Sequence, residues 1–255
     1  MFFFFRKPTV TVNCFISELH TAAAEYAPVE KASSFIPQWF KDLPSPSDND
    51  ILKYGLGIPG TPTEITTIKH CQGLVNAMTA GIIIPMWSEL AINWDADKLQ
   101  FKFADTYSEL HTHNNVQAKG FLDDYHILKL VSPWVLGCSE PMKFASFPTT
   151  LFSGMNTEYR QLYGILKTVS SKNALSTNQF LLLKKQQSVN TVMINFRTPI
   201  LHYVPMNNDK KLKVKCIVDT KEHDRLRAIA GVRPFFFRNS LKQLVLDRVK
   251  NKCPL

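Results

Sequence analysis

The sequence predicts a mainly β fold with some helix (α+β): a β-sandwich or jelly-roll-like barrel carrying an N-terminal arm and C-terminal helices. Three observations predict it. Strand-length apolar runs follow one another from Ile82 to Val218, and Gly, Pro, Ser and Asn separate them. Helical spacing of apolar residues is confined to a short stretch before Gly81 and to the end of the chain. No internal repeat is visible, and eight such short runs suit a sandwich or a rolled barrel.

Pro8 to Ile16, "PTVTVNCFI", alternates with period two and predicts a strand with Val10, Val12 and Cys14 on one face. The next segment is polar and broken by Pro28, Pro37 and Pro44, which leaves room only for short helical turns anchored by Ile36, Trp39 and Phe40. Ser45 to Pro62 reads as an extended loop, and its "GLGIPG" lacks the flanking strand and helix of a dinucleotide fingerprint. Ile68, Cys71, Leu74, Val75 and Met78 lie at helical spacing, with Gly81 placed to stop that helix. "IIIPMW" follows as a buried strand in which Pro85 predicts an edge or a bulge.

Further strands are predicted at "ELAINWD", "KLQFKFAD", "HILKLVSPWVLG", "MKFASFP", "YGILKTV", "FLLLKKQ", "TVMINFRTPILHYVPM" and "LKVKCIVD". "DADK" between the first two is a tight hairpin signal, with Ala91 and Asn93, then Leu99, Phe101 and Phe103, at alternate positions. Trp87 and Trp134 follow proline-bearing β runs and are expected to be buried. In "TKEHDRLRAIAG" Thr220 is the expected N-cap and Gly231 the stop, and Ser240 to Lys252 is expected to form the longest helix. The organisation is therefore 1–62 as strand, arm and proline-rich loop, 63–219 as β-rich core, and 220–255 as a basic helical appendage.

A chain of 255 residues, 45% hydrophobic and 20% charged, has the composition of a folded soluble protein. "MFFFFRKP" places its positive charges after the apolar run, unlike a signal peptide, and no uninterrupted apolar window is long enough to span a bilayer. Five cysteines, none in a CxxC pair, fit a reducing compartment, so the expected setting is a cytosol. The net charge of +9 is concentrated at the end: residues 201–255 hold 13 Lys and Arg against 5 Asp and Glu. That is an electrostatic footprint for an anionic partner, nucleic acid among them, or else a solvated helical face.

Two constellations are candidate sites. His111 and His113, at i and i+2, would point to one side of a strand as two metal-bound imidazoles must. Gln117 stands where a cupin-type pattern has a carboxylate, and His126 with Asp123 or Asp124 could complete a ligand-binding set. A neutral amide is a poor metal ligand, so neither a metal nor another cofactor is assigned. The second constellation is Arg233, Phe235, Phe236, Phe237 and Arg238, with Lys242 and Arg248 beyond: a helix staple, a partner contact or a base-stacking surface. Nucleophile elbows, HExxH and glycine-rich phosphate loops do not occur in the sequence.

Thr67 to Leu90, Ile127 to Pro148 and Thr198 to Met206 together resemble a family of uncharacterised proteins of tailed bacteriophages, notably T4-like phages of cyanobacteria. A bacterial domain family of unknown function is similar too. Those proteins share a "GIxIPxWxDL" strand, an "xKxxSPW" strand and a late "xPIxxxxP" strand; this chain departs from them at Glu89 and at "GCSEPMKF". The resemblance implies a phage protein with no known reaction. The expectation is a virion-associated head or tail accessory that contacts other virion proteins or itself, without a membrane. The alternative is a jelly-roll metal-dependent enzyme or small-ligand binder using His111, His113 and Gln117.

Overall fold

Alternation of buried and more exposed positions along Thr9–Ile16 (β1) gives the strand one face toward the core. In a computed structural model of the chain, which describes residues 8–43, 68–113, 120, 122–154, 158–168, 173–206 and 210–231, β1 lies between two other strands. On one side it pairs in parallel with Lys211–Val218 (β14), and on the other antiparallel with Tyr125–Cys138 (β7). Ala174–Lys184 (β11) and Arg160–Gln161 (β9) continue that sheet, and Glu109–His113 (β6) pairs with the first half of β7.

A second sheet has the order Gly164–Lys167 (β10), Lys143–Phe147 (β8), Pro199–Pro205 (β13), Ile82–Pro85 (β3) and Glu30–Lys31 (β2). A third sheet runs Asn190–Ile194 (β12), Leu90–Trp94 (β4), Leu99–Phe103 (β5). The protein is thus mainly β with few helices, as the apolar runs predict.

One core joins the three sheets. Val12, Leu128 and Leu130 come from the first, Ile82, Ile84, Phe144 and Tyr203 from the second, and Leu90, Ile92, Val192 and Ile194 from the third. Each such side chain contributes about 1.5–3 kcal/mol on leaving water. Trp87 and Trp134 are both buried, as expected. Ile83 faces the other way, under Ala32, Phe40 and Met78 of the N-terminal segments, which follow Thr21–Tyr26 (α1) and include Gln38–Lys41 (α2) and Gln72–Thr79 (α3). Gly81 ends α3 as predicted, with φ of 82° just beyond the last helical turn.

Some local expectations give way to tertiary context. Pro85, by contrast, marks what is expected of it: opposite Ile84 and Pro85 the register of β13 shifts between Pro199 and Leu201, and on the other side of β3 the short β2 pairs only with Ile82 and Ile83. Thr220–Gly231 (α5) is capped by Asp219, whose Oδ1 accepts from Glu222 N–H, while the Thr220 hydroxyl instead accepts from Glu18 N–H. The hairpin at Asp95 to Lys98 forms as predicted; Phe103 and Leu99 of β5 turn to the core as expected, but on β4 it is Leu90, Ile92 and Trp94 that do so instead of Ala91 and Asn93, and Phe101 on the edge strand is exposed. The helix expected from Ser240 to Lys252 lies outside the described residues.

Candidate functional site

β6 and the strand it pairs with explain where the histidines go. Glu109, His111 and His113 share the outer face of the main sheet, because Leu110 between them turns into the core. His111 stands opposite Lys129, with its Nε2 3.7 Å from Glu109 Oε2, and the His113 ring lies against Phe180 at 5.2 Å between centroids. His113 pairs in register with Ile127, so His126, one residue earlier on β7, points to the opposite face, where its Nε2 bonds the Asp95 carbonyl at 2.8 Å. The main-chain carbonyl of Asp124 accepts from Lys185 N–H. The sheet therefore separates His126 from the His111 and His113 pair; Gln117 lies outside the described residues. Among the described residues no group of three His, Cys, Asp or Glu side chains converges as a metal ion requires.

A different polar cluster, which no sequence spacing announces, forms where α5, lying across β11, β7 and β1, reaches the start of β6. A cleft of about 620 Å³ is lined there by His20, Tyr107, Glu109, His223 and Arg227 among others. Arg227 Nη2 donates to Glu109 Oε2 at 3.2 Å, tying the helix to the strand. His223 is buried, with Nδ1 2.8 Å from Asp224 Oδ1, and its Nε2 has no hydrogen-bond partner among the described residues. Burial holds the His20 imidazole below its ordinary pKa, with His223 and Arg227 adding to the effect against Asp105 and Glu109.

Beneath the cleft, Ser108 accepts from Trp87 Nε1 at 3.0 Å and donates to Asp105 Oδ2 at 2.7 Å. Burial opposes the Asp105 charge, but hydrogen bonds with Ser88, Ser108 and the Tyr107 N–H outweigh it, so the carboxyl titrates below its usual range. The Ser108 hydroxyl is thus committed to holding the turn.

The second sheet has a half-covered outer face. His202 on β13 lies beneath Phe152 of Thr150–Ser153 (α4), 5.1 Å between ring centroids, and donates its Nε2–H to the Ala80 carbonyl at 2.9 Å. Beyond His202 the same face carries Phe147 and Ala145 of β8, Val204 of β13 and Ile165 of β10. Nothing among the described residues covers this part: Ile165 is 67% exposed, the neighbouring Tyr163 77% and Phe147 48%. Lys143 and Lys167 are directly opposed in register at its margin. Only pairing could reveal this face, since "YGILKT" reads as an ordinary half-buried strand.

Of the second predicted constellation, Arg233, Phe235, Phe236, Phe237, Arg238, Lys242 and Arg248 all lie outside the described residues. No helix among the described residues is long and apolar enough to cross a membrane. No protein-family model, curated protein or solved structure matches the chain.

Proposed function

We propose that this chain is a non-catalytic protein that works through protein–protein contacts, as a virion-associated head or tail accessory of a tailed bacteriophage. The observation that carries the binding reading is the uncovered apolar face of β8, β10 and β13, with Phe147, Tyr163 and Ile165 exposed side by side at a sheet edge. Exposed apolar patches of this kind mark interaction sites, and the aromatic residues suit an interface core. The phage setting rests on the sequence resemblance.

Mass spectrometry of purified particles from the phage encoding this chain tests the reading. The chain is expected in them at a fixed copy number, and an Ile165→Glu, Tyr163→Lys variant with an unchanged melting temperature is expected to be missing. Absence of the wild-type chain from purified particles overturns the proposal.

A further inference from the structure

The lysines of β14 are not scattered over the strand. Lys211, Lys213 and Lys215 occupy alternate positions, all exposed, while Leu212 and Val214 between them turn toward the core. Because β14 pairs in parallel with β1, these lysines stand in register beside Thr9, Thr11 and Asn13. The two strands therefore present one strip with three ammonium groups along one side and two hydroxyls and an amide along the other. Alternate residues on a strand are about 6.7 Å apart, a step close to that between successive phosphates of an extended nucleic-acid strand.

Charge balance does not account for the strip. None of the three lysines forms an ion pair among the described residues, whereas their neighbour Lys210 is paired with Glu140. The strip also carries no exposed aromatic or large aliphatic side chain. A protein interface needs an apolar centre, and stacking on bases needs exposed aromatic side chains; a row of cations and small donors is suited to the sugar-phosphate backbone, whose contacts carry no sequence information. It is also separate from the apolar face of β8 and β10, so it stands independently of the function proposed above.

We infer that the β1–β14 strip, with Lys211, Lys213 and Lys215 as its cations, is a sequence-independent binding site for the phosphate backbone of single-stranded nucleic acid.

The test is fluorescence anisotropy of the full chain with a labelled oligodeoxythymidylate of about 20 nucleotides, long enough for one site, over a series of salt concentrations. Wild type is expected to bind at low salt and to weaken linearly on a log–log plot. Replacing all three with glutamine (Lys211→Gln, Lys213→Gln, Lys215→Gln) is expected to reduce the steepness of that plot by about 2, at about 0.7 per lost contact. Arginine at the same positions should restore binding, which separates charge from folding. A control with equal charge loss elsewhere, Lys98→Gln, Lys102→Gln and Lys184→Gln, should bind like wild type. Absence of wild-type binding, an unchanged slope in the β14 variant, or an equal loss in the control would each overturn the assignment. So would displacement of the oligonucleotide by poly-glutamate as effective as by unlabelled oligonucleotide, which would assign the strip to acidic protein segments.

Discussion

Thr177, fully buried in β11, donates its hydroxyl to the main-chain carbonyl of Trp134 in β7 at 2.5 Å. The bond sits where the ladder breaks: Ser176 pairs with Val135 and Asn178 with Val131, so the residues around Pro133 bulge out opposite Thr177. On its other edge β7 is paired by β6 up to Val131 and by β1 from Val135, and Pro133, which has no N–H to offer, falls in the gap between them. Thr177→Val keeps the shape and leaves a buried carbonyl without this donor. It should cost about 1–3 kcal/mol, read as a lower denaturation midpoint at unchanged m-value. Thr177→Ser should lose less, and a Val variant as stable as wild type would mean that the bulge does not need the bond.

Gly81 combines a φ of 82° with a main chain so close to Tyr203 that an added methyl group would overlap the Tyr203 carbonyl. Gly81→Ala is therefore expected to lower stability by at least about 2 kcal/mol. Gly164→Ala meets open space at an ordinary backbone angle and should stay within about 0.5 kcal/mol of wild type. Parallel thermal melts compare the two, and equal melting temperatures would contradict the reading.

His202 titrates below its ordinary range because burial disfavours the imidazolium, against the pull of the Ala80 carbonyl. The folded state thus binds fewer protons than the unfolded chain just below about pH 6.5. Its contribution is complete above the unfolded pKa and declines as pH falls through that value toward the depressed folded one. Wild type should melt at a lower temperature at pH 5.5 than at neutrality, about the interval in which an ordinary histidine charges. His202→Gln, less stable at neutrality, should show a smaller acid loss; an identical pH dependence would rule out His202 as a source.

Cys14 and Cys216 are registered partners across β1 and β14 and sit in opposite environments. Burial pushes the Cys14 thiol well up, while the hydrogen bond with Cys14 brings the Cys216 thiol down. Burial raises Cys138 to about 12. In the native state iodoacetamide near pH 8 should label Cys216 and exposed Cys71 and spare Cys14 and Cys138. Peptide mapping reads the pattern, and labelling of Cys14 as fast as Cys216 would count against it.

Sequence alone determined the features set by neighbours a few residues away. Alternation of apolar and polar residues marks β1, β4 and β8, the Asp95 to Lys98 turn follows from its own side-chain caps, and Gly81 ends a helix because its φ suits no other residue as well. The inference that His111 and His113 share a side is of the same kind, since pleating requires it. Tertiary structure decided which strands meet. Nothing local in "TVTVNCFI" or "KLKVKCIV" specifies that they lie in parallel, some 200 residues apart, yet that pairing aligns three lysines with Thr9, Thr11 and Asn13. His126 was placed out of reach of the histidine pair by the register of β6 on β7, and His20, Glu109, His223 and Arg227 came together because α5 docks on β11, β7 and β1 and so brings Arg227 to the start of β6. A strand's period is written in its own residues, whereas its partner and register depend on which competing faces leave water together, and that is settled by the whole chain.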